Sequence, residues 1–438
     1  MVVFSYRSKQ SPLFLTGTLA QVTVQTSSNM TAINSARSAT VSSRFTYPAL
    51  DGLRALAVTL VFVEHFGGGS HGGRFLKWFN HVRLAGSSGV SLFFVLSGFL
   101  ITGILYDTLH DKRFFRNFYA RRSLRIFPIF YLILAVCAVL TPVLHYNVQW
   151  GHLSFLFYLG NVLANWNWSL YELVSPTHPA LSINMGHFWS LFVEEQFYLI
   201  WPVVIFLVRD RVKLIRLSLA VILAVLALRI GMVLLLPIGT AEQFAFRMLP
   251  TRADDLLIGA LMALLLRGPA AGSWLRRAWY FFAGGTAGFC ILALSRGYFG
   301  FQDPYNLTIG LTLISMASAG LIALCIQERT WAFRLLSIRP FRRIGKYSYG
   351  FYVYHVLFNR ARIAFFLFAV AYFHSLVIGG LVYVLSCYLV VFAVAALSYE
   401  FYEKRFLALK SHFQSSTAGT RNSISEPHTS GATGPVVL

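Results

Sequence analysis

From Pro48 onward the chain alternates long apolar runs with short polar connections. The runs are too long for the elements of a soluble domain. Crossing a bilayer takes about 20 apolar residues, and ten runs approach that length: 49–66, 88–105, 127–143, 187–208, 217–236, 254–267, 278–296, 305–325, 347–370 and 376–400. Helices satisfy their own backbone polar groups in lipid, so the pattern predicts an all-α fold, a polytopic transmembrane helical bundle of about ten spans. An eleventh run, 152–164, is read as a re-entrant or interfacial segment. Counting it as a crossing would move Arg209, Arg211, Lys213 and Arg216 to the outer side, against the positive-inside rule. Residues 1–44, rich in Ser and Thr, predict a disordered cytoplasmic arm, and 411–438 a disordered cytoplasmic tail, because neither carries enough apolar surface to fold alone.

Composition agrees with a membrane protein. Of 438 residues, 56% are hydrophobic and 12% charged, against roughly 25% charged in a soluble domain. The net charge of +21 does not imply nucleic acid, because the basic residues sit between apolar runs and build no basic face of a soluble domain. Most of them fall on one side of a ten-span topology, which predicts both termini in the cytoplasm. The segment 144–186 lacks Lys and Arg and carries Trp150, Trp166 and Trp168, as an outer surface with interfacial aromatics would. The four cysteines lie in apolar stretches without CxxC spacing, so neither a disulfide framework nor a metal site is expected.

An ionisable residue inside a span is costly and by default functional. The first span carries Asp51, Arg54 and His65. His65 follows Arg54 by eleven residues, which returns nearly to the same helix face about 16 Å further along. Asp51 is three residues before Arg54 and can pair with it; a salt bridge at the helix end is the plainer reading of that pair. A neutral imidazole is the natural general base for a hydroxyl nucleophile, although His65 also reads as an interfacial histidine. The fourth span opens with His187, Trp189, Ser190 and the pair Glu194–Glu195. One of these carboxylates is expected either to orient His65 or to pair with Arg252 at the outer start of the sixth span. Arg122 and Arg125 share a helical face at the inner mouth, where a guanidinium fork suits phosphates, though positive-inside anchoring alone would put arginines there. Ser348, Tyr352 and His355 form a polar stripe on the ninth span that faces the bundle, for chemistry or for interhelical hydrogen bonding. In the small-residue stretch around Gly98, Ser97 is either a nucleophile or part of close helix packing.

Asp51-Gly52-Leu53-Arg54 with His65, Phe93-Phe94-Val95-Leu96-Ser97-Gly98-Phe99, Arg122 with Arg125, Trp189-Ser190-Leu191 with Val193-Glu194, Arg252 with Asp254, and Ser348-Tyr349 with Tyr352 and His355 follow one another in order. Together they resemble the acyltransferase-3 family of membrane acyltransferases, over about residues 45–410. The resemblance implies an O-acyltransferase, by default an O-acetyltransferase, of the bacterial inner membrane. Its donor would be acyl-CoA, a substrate rather than a permanently bound cofactor, and its acceptor a hydroxyl of a carbohydrate or glycolipid such as an exopolysaccharide or O-antigen. It also implies that Arg54, His65 and Glu194 carry the activity. On this reading Arg122, Arg125 and Arg54 bind the donor, His65 is general base with Glu194 its orienting partner, and Asp51, Ser97, Trp189, Arg252, Asp254, Ser348, Tyr352 and His355 support them. The stretch after residue 410 is too short for the extracytoplasmic esterase-like domain of some members, so transfer is expected to finish in the membrane domain or on another protein. Two rivals stand beside this reading: a transporter or flippase of a glycan or lipid-linked intermediate, and a structural membrane subunit.

Overall fold

The computed structural model describes residues 47–66 and 80–413; the arm 1–44, and the tail from 414 onward, lie outside the described residues. Among the described residues the architecture is almost entirely helical. The principal helices are α1 (Pro48–Phe66), α2 (Ser88–Asp107), α3 (Phe114–Leu144), α4 (Trp189–Val208), α5 (Arg211–Leu235), α6 (Ile238–Arg247), α7 (Leu249–Leu265), α8 (Ala271–Arg296), α9 (Leu311–Cys325), α10 (Arg339–Lys346), α11 (Ser348–Tyr354), α12 (Asn359–Phe373) and α13 (Leu376–Ser398). A two-residue antiparallel ladder pairs β1 (Glu172–Leu173) with β2 (Ile183–Asn184).

Each of the ten apolar runs lies on helix. Seven helical stretches are long and apolar enough to cross a membrane, and the α11–α12 pair makes an eighth if counted as one. The chain is therefore a multi-pass membrane protein. The two other expected spans, α1 and α7, are helices whose sequences hold Asp51, Arg54 and Glu64, and Arg252, Asp254 and Asp255. The three charges of α1 and the 17-residue length of α7 set them apart from the long apolar helices, and both pack against neighbours in the bundle.

Three expectations are corrected. The run 347–370 is not one straight span: α11 and α12 meet at 84° across His355–Phe358. The helix that carries the run 127–143 begins at Phe114 and not near residue 127, so the helical face expected for Arg122 and Arg125 belongs to that same helix, α3. Helix α7 starts at Leu249, with Pro250 in its first turn where a missing N–H costs nothing, which puts Arg252 inside the helix.

The segment 150–164 forms an eight-residue 3₁₀ stretch (Trp150–Phe157) and a five-residue helix (Gly160–Ala164), both far short of a span at about 1.5–2 Å per residue. It is tied to α4 by Gln196, which donates to Tyr158 O at 2.8 Å and Asn161 Oδ1 at 2.9 Å. Helix α4 turns into α5 through Arg209–Asp210, and the Asp210 carboxylate caps α5 by accepting from Lys213 N at 2.7 Å.

Helices α2 and α7 cross at reciprocal glycines. A side chain at Gly98 would collide with the Leu256 carbonyl, and one at Gly259 with the Val95 carbonyl. Close packing thus accounts for the small residues of α2. The same device seats α10 on α1, with Gly345 against Asp51 O, while Gly52 of α1 meets Leu336 O at the end of the short helix Trp331–Leu336.

Candidate active site

Helix α1 organises the site because its two ends face different cavities. Its apolar side, Leu53, Ala57, Val58, Val61 and Phe62, is buried in the bundle, which leaves Arg54 near one end and His65 near the other. Arg54 Nη1 donates to Asp51 Oδ1 at 2.7 Å, the i,i+3 pair expected from spacing.

The first cavity, of about 360 Å³, is lined by the cations Arg54, Arg121, Arg122, Arg125 and Lys410, with Glu194 as its acid. Helix α3 supplies three of the arginines, α1 the fourth, and the lysine arrives from the end of the helical region beyond α13. Ser97 and Tyr198 meet through their hydroxyls, and the Arg122 guanidinium lies 5.1 Å from the centre of the Tyr198 ring. The other walls are apolar, including Phe93, Phe94, Leu96 and Leu100. A basic mouth on an apolar chamber suits a ligand with anionic groups at one end and an uncharged arm at the other.

The second cavity, of about 350 Å³, lies at the other end of α1. It combines His65 and Glu64 with Trp168, Tyr171, Glu242 and Asn184, and Arg247 and Arg362 also line it. The His65 ring accepts its position from the backbone: Nδ1 donates to Val61 O at 2.9 Å, so in the neutral ring Nε2 carries the free lone pair. Ser87 donates to the Glu64 carboxylate. Two arginines from other elements hold the last carbonyls of α1, Arg83 on Glu64 O and Arg362 on His65 O; these are groups that a helix end leaves unpaired. Arg362 also lies 4.4 Å over the Phe66 ring. Arg247 sits 4.7 Å over Trp168. Outside the spans, burial pushes the Glu242 carboxyl up while Arg247 nearby pulls it down. Aromatic faces beside carboxylates and amides are the surfaces that bind sugar rings and their hydroxyls.

Among the described residues two line both cavities, Val90 and Tyr352. The Tyr352 hydroxyl meets Ser190 Oγ and donates to His187 O at 3.0 Å. Behind this wall three imidazoles cluster. His355 lies 5.1 Å from His65 and 5.1 Å from His187, ring centre to ring centre and edge to face in both cases. His355 Nδ1 donates to Tyr352 O at 2.6 Å and His187 Nε2 to Val353 O at 3.0 Å, which leaves His355 Nε2 and His187 Nδ1 buried without a hydrogen-bond partner.

Of the expected site residues, Arg54, Ser97, Arg122, Arg125, Glu194, Ser348 and Tyr352 converge on the first cavity, and His65, Trp189 and Tyr352 on the second. The expected pairing of Glu194 with His65 is corrected. Glu194 lies five residues into α4, about 7–8 Å along it, and so reaches the basic cavity, whereas His65 is at the opposite end of α1. The alternative pairing of a Glu194–Glu195 carboxylate with Arg252 does not occur either. Arg252 Nη2 pairs with Asp255 at 2.7 Å and donates to Ser91 Oγ at 2.9 Å. Its guanidinium packs 4.9 Å from the Phe246 ring and 5.9 Å from Trp189. Asp254 accepts a two-bond fork from Arg229, at 2.9 and 2.6 Å. All four of these charged residues are fully buried. They form a network joining α5, α7 and α9 and lie outside both cavities.

Sequence reasoning missed Arg229, Asp255, Glu64, Arg362 and Lys410. The i,i+3 rule that found Asp51–Arg54 also marks Arg252–Asp255, and Arg229 stood out as a lone charge in an apolar run. No local signal points from Arg362 or Lys410 to the distant residues they join.

The fold and site define a multi-pass helical membrane protein with a basic cavity and a histidine-containing cavity that share Val90 and Tyr352. A family model described as an acyltransferase domain matches residues 47–400, and the chain belongs to that family. It is 32% identical over 327 residues to YrhL of Bacillus subtilis, provisionally named a peptidoglycan O-acetyltransferase, covering 70% of this chain and 48% of that protein. It is 29% identical over 324 residues to the peptidoglycan O-acetyltransferase OatA of Listeria monocytogenes, covering 72% and 49%, and 28% identical over 319 residues to the O-acetyltransferase OatA of Staphylococcus aureus, covering 70% and 50%. The chain spans about half the length of these relatives. No solved structure matches it.

Proposed function

We propose that the chain is an O-acetyltransferase of the bacterial inner membrane that passes an acetyl group from acetyl-CoA, entering from the cytoplasm, to a hydroxyl of a cell-envelope glycan on the outer side. The observation that carries this reading is the pair of cavities at opposite ends of α1, one basic and one holding an imidazole among aromatic, carboxylate and amide side chains, with Val90 and Tyr352 lining both. Relatives named for peptidoglycan O-acetylation support a carbohydrate acceptor.

In this mechanism Arg122, Arg125, Arg121 and Lys410 hold the phosphates of the donor, and its uncharged arm runs inward past Arg54. The separation of about 16 Å between Arg54 and His65 along α1 is of the order of a pantetheine arm. The acceptor stacks near Trp168, and His65 Nε2 takes the proton of the attacking hydroxyl. Glu194 offsets the charge of the four arginines and acts on the donor side. The positive-inside distribution supports cytoplasmic termini.

Transfer of label from acetyl-CoA to cell-wall glycan, measured in membranes carrying wild type or His65→Ala, tests the proposal. Label with wild type and none with His65→Ala supports it. Undiminished label with His65→Ala removes the assigned base, and none with wild type removes the donor or the reaction.

A further inference from the structure

We propose that Tyr352 is a catalytic residue of this transfer: its phenol O–H donates a hydrogen bond to the oxyanion that forms on the thioester carbonyl. The inference rests on the reading above, in which a thioester and a sugar hydroxyl approach from the two cavities.

Two ligands held in separate chambers can react only across the wall that both chambers touch. Among the described residues that wall is Val90 and Tyr352. Val90 offers no polar side-chain atom, so the phenol is the wall's side-chain hydrogen-bond donor. The Tyr352 ring is fixed by neighbours on several sides, with Phe93 at 6.1 Å, His187 at 5.7 Å and His355 at 5.3 Å between ring centres. The phenol O–H already points at a carbonyl, His187 O, at 3.0 Å. An oxyanion is a stronger acceptor than a neutral carbonyl, so a small swing re-aims the donor at the reacting centre. Ser190 can compensate, because its Oγ touches the phenol and also reaches His187 O at 3.2 Å. Arg362 and Glu64 face the same chamber, but both are engaged, Arg362 on the His65 carbonyl and Glu64 with Ser87.

The step balances without any further reactant. The acceptor oxygen bonds to the acyl carbon, its proton passes to His65 Nε2, and the carbonyl π pair moves to oxygen, where Tyr352 donates. The oxyanion then re-forms the carbonyl, the carbon–sulfur bond breaks with its electron pair on sulfur, and the imidazolium proton goes to that sulfur. Tyr352 keeps its own proton throughout. One preorganised oxyanion donor is worth about 10²–10³ in kcat.

The test measures kcat and KM for acetyl-CoA with the full chain in membranes and a peptidoglycan fragment as acceptor, for wild type, Tyr352→Phe and Ser190→Ala. The expected result for Tyr352→Phe is a fall in kcat of about 100-fold with KM little changed, and the same fall with an acetyl thioester of a more acidic thiol. A kcat within threefold of wild type overturns the inference, as does a rise in KM alone. A loss that shrinks with the better leaving group also overturns it, because the phenol would then be protonating sulfur. If Tyr352→Phe does not fold, Ser190→Ala decides: a lower kcat at unchanged KM supports the inference, and an unchanged kcat defeats it. Wild type without transfer defeats the underlying reading; an active wild type with an equally active Tyr352→Phe defeats this inference alone.

Discussion

His65 and His355 meet edge to face with ring centres 5.1 Å apart, although 290 positions separate them in the chain. Each has its Nδ1 committed to a backbone carbonyl, Val61 O and Tyr352 O respectively. The contact supports the His65 ring edge to face within the bundle. His355→Ala removes that support without removing the base. Its kcat should fall by about tenfold, since loose positioning of a catalytic group erodes the advantage of orientation. The assay is labelled acetyl transfer, accompanied by a melting curve that stays near that of wild type.

The basic cavity and the aromatic cavity should respond to different substrates. Arg122→Gln and Arg125→Gln are each expected to raise KM for acetyl-CoA about tenfold, or about 1.4 kcal/mol, with kcat little changed because the phosphates do not react. Lysine at either place should rescue only in part, because it lacks the planar fork. Initial-rate measurements with varied donor read this directly.

On the other side, Trp168→Ala removes a ring that lines the second cavity and lies under Arg247. The acceptor KM should rise several-fold while the donor KM holds. The reverse pattern would mean that the two cavities have been assigned the wrong way round.

The buried network beyond the cavities governs stability. Asp254→Ala leaves Arg229 fully buried without its carboxylate, which should cost about 3–5 kcal/mol. Thermal unfolding of the purified protein in detergent measures the loss. Arg54 and Asp51, which are partly exposed, should show far less when separated, of the order of 1 kcal/mol or below.

Gly98→Leu and Gly259→Leu each push a side chain into the facing helix backbone at the α2–α7 crossing. Overpacking of this kind costs at least about 1–3 kcal/mol. Reduced yield of folded protein and a lower melting temperature are the expected readouts, and Gly284→Leu, where nothing lies within 4 Å of the added carbon, serves as the control.

Helix positions were legible because apolar runs of about 20 residues leave the backbone few alternatives to a helix. Pairs within one helix were legible for a similarly local reason: Asp51 and Arg54 are three residues apart. Partnerships between helices were harder to read. Whether Glu194 meets His65 depends on how deep each helix starts, and no run of hydrophobicity records that to within a turn. The break at His355–Phe358 was hidden because His355-Val356-Leu357-Phe358 contains neither Pro nor Gly, the usual causes of a kink. What holds it is tertiary: Leu357 O accepts from Asn184 N at 2.8 Å, and that donor belongs to a strand far earlier in the chain.

That break has a consequence for the order of assembly. During synthesis the first helix emerges long before residue 355, so His65 enters the membrane without the imidazole beside it or the arginine on its carbonyl. The bend in 347–370 is tied to the earlier β2 strand, where Asn184 N donates to Leu357 O at 2.8 Å. The surroundings of His65 are thus among the last parts of the protein to mature. A nascent chain that stalls before α12 would hold most of its spans yet lack Arg362 on the His65 carbonyl, so an unfinished copy has an incomplete second cavity.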